Sequence, residues 1–368
     1  MALSFDHLDL TDAERRLITR ACGTSPVVYL AHLDKGLSGS GVWQARWQVQ
    51  PGVPTKDHVF KIGPRQKLMR ERKAIDEIVS AIEPGFPHVR YLEDEETDRS
   101  LLCQEFVGEI EGETISLRKY IQSCDGVEAG QIIQRLYLER MVHWHPLSRV
   151  YPQENITLAE ALDWWVNRMD IAAAAEQVGT AGIESILVPK TGLNIARLNT
   201  VIRELLSHPI TVPIGTIHGD LHAQNVLLGA GKNMQLIDFG WTNREKWKAI
   251  DFLMMECSLK FVASPPHALL SDLMKLDELL DSQVTGTAAG SYSELAGCVH
   301  GNALLAIAHA VHAVRHCALI LGAATDFSHY RLGLITLMAG LTSLPSLINR
   351  VYLFQSIGYH LAKAGRIR

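Results

Sequence analysis

The sequence predicts an α+β protein of two lobes, one small and strand-rich, the other larger and mainly helical. Three observations carry this. A chain of 368 residues exceeds what one hydrophobic core usually serves. Residues 25–108 read as short alternating strands with a single helical segment. From about residue 110 onward the apolar spacing is helical, with breaks at Pro265-Pro266, Gly286–Gly290 and Pro345. No internal repeat or low-complexity segment is present.

In chain order, Thr11-Asp12-Ala13-Glu14 is a capping box that opens a short helix over 13–21. Gly36-Leu37-Ser38-Gly39-Ser40-Gly41-Val42 is a glycine-rich turn, followed by an alternating strand over 43–49. Glycines in such a turn let the backbone approach phosphate oxygens with no Cβ in the way. His58-Val59-Phe60-Lys61-Ile62-Gly63 is an apolar strand with one lysine, which is costly to bury without an anionic partner. Glu71, in the helical segment 67–75, is the carboxylate expected to pair with Lys61, with Glu77 as the second choice. Residues 101–108 form another apolar strand. Thr157-Leu158-Ala159-Glu160 is a second capping box, predicting a helix through Trp164, Trp165 and Met169. A helix over 193–206 ends at His208-Pro209, and Ile214-Gly215-Thr216-Ile217 leads into His218.

The segment that follows is the most informative in the chain. His218-Gly219-Asp220-Leu221-His222-Ala223-Gln224-Asn225 has the form His-x-Asp-x-x-x-x-Asn, and Ile237-Asp238-Phe239-Gly240 comes shortly after it. Either motif alone is weak. In this order and at this separation they match the needs of phosphoryl transfer: one Asp to take a hydroxyl proton, an Asn and a second Asp to hold Mg²⁺ against nucleotide phosphates.

Over roughly residues 25–260 the chain resembles the protein-kinase-like phosphotransferases, and within them the aminoglycoside/choline kinase branch. Lys61-Ile62-Gly63-Pro64-Arg65 also resembles the bacterial kinase-like "ternary complex associated" domains. The resemblance implies a bilobal protein-kinase-like fold, with a small antiparallel-sheet N-lobe over 1–108 and a large, mainly helical C-lobe over 109–368. It implies Asp220 as catalytic base and Asn225 and Asp238 as Mg²⁺ ligands. It further implies nucleotide contacts from Gly36, Ser38, Gly39, Ser40, Gly41, Lys61 and Glu71, and from Gln104, Glu105 and Val107 at the hinge. The cofactors implied are ATP and Mg²⁺. Two departures point away from protein substrates. Gly219 replaces the Arg that docks a phosphorylated activation loop, and only residues 241–249 separate Gly240 from Ile250-Asp251, with no Ala-Pro-Glu element. Asp251 resembles the buried Asp that braces the catalytic loop in the family, and serves equally as a helix N-terminal acid. Trp241 and Gln224 stand where relatives commonly carry an acid and a glycine.

Composition bounds the remaining classes. A net charge of −5 offers no electrostatic footprint for nucleic acid. Six scattered cysteines without Cys-x-x-Cys pairing fit a reducing compartment. The first residues lack the basic and apolar regions of a secretory signal, so a cytoplasmic location is expected. The apolar stretch 303–324 is interrupted by His309, His312, Arg315 and His316, which reads as a buried helix and not a membrane span. The three histidines share about 60° of one helical face, where hydrogen bonding is favoured over metal binding. From Ser282 to the end the only acids are Glu294 and Asp326, against six Arg and Lys and six His. That balance predicts a small-molecule hydroxyl acceptor that is neutral or anionic, since polycationic acceptors need acidic walls. The alternatives are a nucleotide-binding regulatory or scaffold protein, and a kinase or AMP-transferase acting on a protein partner. Degenerate members of the fold usually lose Lys61, Asp220, Asn225 or Asp238 equivalents, and all four are present.

Overall fold

The structure, a computed structural model, describes residues 10–23, 27–35, 40–47, 56–83, 85–106, 114–146, 151–229, 231–282, 292–325, 327–344 and 349–366. The fold is α+β and divides into two compact units. The first comprises Met1–Leu117, His218–Asp220 and Gln224–Asn243; the second comprises Arg118–Ile217, Leu221–Ala223 and Arg244–Arg368. The division is thus not a single cut in the sequence, because His218–Asp220 and Gln224–Asn243 group with the N-terminal sheet and Leu221–Ala223 with the second unit.

That sheet has five antiparallel strands, β1 (Val27–Lys35), β2 (Gly41–Trp47), β3 (Lys56–Pro64), β4 (Val89–Glu93) and β5 (Arg99–Glu105), in the order β1-β2-β3-β5-β4. Side-chain alternation gives it two faces. One face carries Trp43, Ala45, Phe60, Ile62, Leu101 and Cys103, and packs on Leu17, Ile18, Ala21 and Cys22 of the helix Asp12–Cys22. Both hydrogen bonds of the Thr11–Glu14 capping box are made at the start of that helix, and Glu14 also meets Arg99 at 3.1 Å. The other face is set by register: Val42 lies opposite Lys61 and Lys61 opposite Leu102, while Gln44 lies opposite Val59 and Val59 opposite Gln104. One lysine and two glutamines therefore share a face with three aliphatic residues. The helix Arg65–Ala74, continued by a π-helical turn over Ile75–Val79, connects β3 to β4.

A small sheet completes this unit: β6 (Ile115–Ser116), β9 (Val226–Leu228) and β10 (Met234–Leu236), ordered β10-β9-β6. Leu227 and Ile237 join Val42, Val59 and Phe106 in one apolar cluster.

The second unit is mainly helical around a sheet ordered β11-β8-β7, formed by β7 (Gln153–Thr157), β8 (Pro209–Ile217) and β11 (Asn243–Trp247). The Thr157 capping box is made in full, but the helix it starts breaks at Leu162 into Leu158–Ala161 and Asp163–Val166. Within the second piece Trp165 is buried, and Trp164 lies under Arg168, whose Cζ is 4.0 Å from the ring. Among the described residues Gly301–Ile320 is the one helix long and apolar enough to cross a membrane. Most of its residues are buried against other helices of the unit, and its arginine, Arg315, is ion-paired to Glu256.

Candidate active site

The site grows from the sheet face that bears Lys61. Opposite β3, the β9–β10 hairpin continues its antiparallel register by one bond, Ile237 N–H to Asn225 O at 3.0 Å, which sets Asn225 and Asp238 on adjacent chain segments. Asp238 adopts a left-handed backbone, φ 66° and ψ 60°, a region that Asp tolerates better than most side chains. The turn swings its carboxylate to Lys61: Nζ lies 2.7 Å from Asp238 Oδ1 and 2.6 Å from Glu71 Oε2. Glu71 uses its other oxygen, Oε1, to accept the Phe239 N–H at 3.2 Å. One glutamate thus ties the helix, the lysine strand and the Asp-Phe-Gly turn together. Glu77, the second choice, is exposed and lies 3.9 Å from Lys73 on the same helix.

Lys61 and Glu71 are both buried. Burial alone would lower the Lys61 pKa, but Glu71 and Asp238 outweigh it and hold the ammonium charged. The Glu71 carboxyl is shifted up, first by burial, with Lys61 opposing and the like charge of Asp238 adding to the rise. Two acids share one fully buried lysine. A second lysine completes the group: Lys67 Nζ is 3.7 Å from Asp238 Oδ2 and 3.5 Å from Ser40 Oγ. Lys67 was not anticipated from the sequence. The signal for it was helical spacing, since it stands one turn ahead of Glu71 on the same face.

Asp220 and Asn225 are joined by a 2.8 Å hydrogen bond from Asn225 Nδ2 to the Asp220 carbonyl, which leaves the Asn225 amide oxygen as the acceptor end. Gly219 has φ +83°, and a Cβ there would sit 2.3 Å from the Trp241 carbonyl oxygen. Any side chain at 219 is therefore excluded by backbone geometry, which accounts for the missing arginine. Trp241 itself is covered by Arg70, whose Cζ lies 4.2 Å from the ring centroid.

A cavity in this unit is lined by Val42, Val59, Leu102, Val89, Ile75 and Ile237, with Lys61, Glu71 and Gln104 among them. Its walls are thus mainly apolar, with a lysine, a carboxylate and an amide as the polar groups. Gln104 Nε2 is buried and has no protein hydrogen-bond partner. The Glu105 carbonyl accepts a long 3.5 Å contact from Gln235. Ser40 is buried, and its Oγ lies where a Cβ on Gly63 would fall, at 2.3 Å, so the end of the glycine-rich segment rests directly on β3. Gly41 begins β2. Gly36, Ser38, Gly39 and Val107 lie outside the described residues.

Asn225 and Asp238 offer an amide oxygen and a carboxylate. These are hard oxygen donors of the kind Mg²⁺ takes together with water and phosphate, so the donor set fits that ion. Among the described residues no group of three or more His, Cys, Asp or Glu is arranged to hold a metal by itself. Of the three histidines noted above, His312 Nδ1 lies 3.1 Å from Tyr292 Oη, and His309 meets the same tyrosine ring edge-on. Asp251 is fully buried in the second unit, with Oδ2 3.3 Å from His145 Nε2.

Comparison with known proteins gives a partial match. A family model described as ternary complex associated domain 9 matches residues 171–322. No curated protein matches the chain. Among solved structures, a thermostable mutant of aminoglycoside phosphotransferase APH(4)-Ia is 15% identical with a TM-score of 0.39, covering 83% of this chain and 97% of its own. Aminoglycoside phosphotransferase APH(3'')-Id from Streptomyces rimosus is 15% identical, TM-score 0.39, covering 82% and 99%. Choline kinase LicA from Streptococcus pneumoniae is 13% identical, TM-score 0.36, covering 90% and 99%. The chain is similar to the ternary complex associated domain 9 model over part of its length and, distantly, to aminoglycoside phosphotransferase and choline kinase structures.

Proposed function

We propose that this chain is an ATP-dependent phosphotransferase that moves the γ-phosphoryl group to a hydroxyl of a small molecule. The observation that carries the proposal is the Lys61–Glu71–Asp238 cluster, with its 2.6 and 2.7 Å contacts, beside the Asp220–Asn225 bond. A buried lysine braced by a helix glutamate is held in one rotamer, ready to meet nucleotide phosphates. Gln104 and Glu105, at the end of β5, would face the base. Ser40 and Gly41 close the phosphate end.

Asp238 and Asn225 would hold Mg²⁺, which would supply positive charge to offset that of the nucleotide phosphates. The remaining work belongs to the protein's own groups. Lys61 orients the α- and β-phosphates. Asp220 aligns the acceptor hydroxyl and takes its proton as the new O–P bond forms, while the bond from the γ-phosphorus to the β,γ-bridging oxygen breaks and ADP departs. Little covalent chemistry is asked of the enzyme, so positioning and charge account for the rate.

The acceptor is read as neutral or anionic from the charge balance of 282–368. Two of the cations in that count are consumed internally, Arg315 by Glu256 and Arg331 by Asp281 at 2.7 Å. The preference therefore rests on Arg350, Lys363, Arg366 and Arg368 set against only two acids. The deciding experiment measures ATP turnover and radiolabelled phosphate transfer over a panel of small-molecule hydroxyls, with proteins alongside. Transfer to neutral or anionic small-molecule hydroxyls is the expected result. Transfer to protein alone, or nucleotide binding with no turnover on any acceptor, overturns the proposal. A kcat/KM for kanamycin-type acceptors at or above about 10⁴ M⁻¹s⁻¹, within the ordinary enzymatic range, overturns the charge preference.

A further inference from the structure

We infer that Lys67 is a second phosphate-binding cation of this site, and that it contacts the terminal phosphoryl group, the one transferred, and not the inner phosphates. The inference rests on the nucleotide-site reading above and deepens it.

The geometry is that of an under-bonded cation. Lys67 lies in the first turn of the Glu71 helix, and its side chain is only 17% exposed. A mostly buried ammonium with three donors ordinarily makes close hydrogen bonds to offset its lost hydration. Lys67 has two long contacts instead, 3.7 Å to Asp238 Oδ2 and 3.5 Å to Ser40 Oγ, both at or beyond the limit of a hydrogen bond. The two contacts lie at the end of the glycine-rich segment and at the Asp-Phe-Gly carboxylate, and a phosphate oxygen beside them would give the ammonium the close partner it lacks.

Position relative to Lys61 assigns which phosphate. Lys61 is committed to Glu71 and Asp238 at close range on the sheet side. Lys67 approaches the opposite oxygen of Asp238 and lies within electrostatic reach of Asp220. The transferred phosphorus must lie between the leaving oxygen and the hydroxyl held by Asp220. A cation that sees both Asp238 and Asp220 stands over that group. Two lysines flanking one carboxylate also repel each other, a cost that an additional anion between them would relieve.

The test is binding, independent of any acceptor. Calorimetry with Mg·ATP and Mg·ADP is run on the full chain, on Lys67→Met and on Lys61→Met, with thermal melting of each nucleotide-free protein as a check on folding. Lys67→Met is expected to lower ATP affinity roughly tenfold to a hundredfold, the usual worth of a hydrogen bond to a charged group, and ADP affinity less than about twofold. Its nucleotide-free melting temperature is expected to stay close to that of the unaltered chain. Lys61→Met is expected to weaken both nucleotides. Should Lys67→Met fold poorly, Lys67→Gln is measured in its place. If the unaltered chain binds ATP and ADP but Lys67→Met weakens them equally, or weakens neither, the assignment of Lys67 fails and the nucleotide site stands. If the unaltered chain binds neither nucleotide, both fall together.

Discussion

In the first unit one buried lysine, Lys61, serves two carboxylates. In the second, the buried pairs Arg315–Glu256 and Lys260–Asp277 each match one cation to one carboxylate and are closed by neutral donors. Arg315 meets both oxygens of Glu256, at 2.6 and 3.0 Å, Tyr330 donates to the same carboxylate at 3.0 Å, and the Leu280 carbonyl takes another guanidinium N–H. Lys260 lies 2.5 Å from Asp277, which also accepts from Ser356 at 2.6 Å and Tyr352 at 3.2 Å. The electrostatic consequences run in opposite directions. Burial pushes the Glu256 carboxyl up, but the Arg315 guanidinium prevails and the net shift is downward. For Glu71 burial and the neighbouring Asp238 prevail over Lys61, and the net shift is upward. A saturated cluster fixes the packing of helices. A cluster whose second lysine makes only long contacts is arranged to receive a further anion.

The largest effect expected is on turnover. Asp220→Ala should cut kcat by roughly 10²–10⁴, the usual worth of a positioned base, with ATP affinity nearly unchanged. A folded variant that turns over at close to the normal rate would remove Asp220 from the mechanism and, with it, half of the contrast between the two units.

Next in size is a stability effect confined to the saturated cluster. Arg315→Met leaves Glu256 buried without its cation and should cost about 3–5 kcal/mol in urea unfolding. The double variant Glu256→Gln with Arg315→Met should recover most of that loss, because the buried charge is gone. If the single variant is as stable as the original, the cluster is not the helix clamp described here. Neither change should alter nucleotide affinity measured in conditions where the protein is folded.

The third prediction concerns the open cluster. Asp238→Ala removes the carboxylate that offers Mg²⁺ its charge, so nucleotide binding should lose its dependence on Mg²⁺ in calorimetry with and without EDTA. A Mg²⁺ dependence that survives this change places the metal elsewhere.

The smallest effect is a pH dependence. Burial, with Lys248 adding and Asp251 opposing, pulls the His145 pKa down to about 4 from about 6.5. The unfolded chain then binds the proton that the folded chain refuses between those values. Stability attributable to this residue is complete above about pH 6.5 and falls as pH drops toward 4, at no more than about 1.4 kcal/mol per pH unit. His145→Gln should flatten the unfolding free energy over that window, and an unchanged slope would contradict the neutral, buried assignment.

Much of this was legible in the chain itself. The Thr11 capping box, the alternation around Lys61 and the spacing of His218, Asp220, Asn225 and Asp238 are local patterns, and local patterns follow from backbone periodicity and hydrogen-bonding chemistry. The break at Leu162 was not legible, because a capping box specifies where a helix starts and says nothing of where packing ends it. The charge count over 282–368 misled in part, since Arg315 and Arg331 are paired with Glu256 and Asp281, acids that precede that stretch.

Sequence alone therefore pointed to the α+β class, to the candidate reacting groups and to the pairing of Lys61 with Glu71, because strand alternation and helical spacing restrict which residues can face each other. Tertiary structure decided the rest. It brought the Asp-Phe-Gly turn onto the sheet face of Lys61, turned Lys67 toward Asp238, and showed that the Trp241 carbonyl forbids any side chain at Gly219. The physical reason is that these contacts join residues distant in the chain, and their distances are set by the packing of the hairpin and helix against the sheet, which no local pattern encodes.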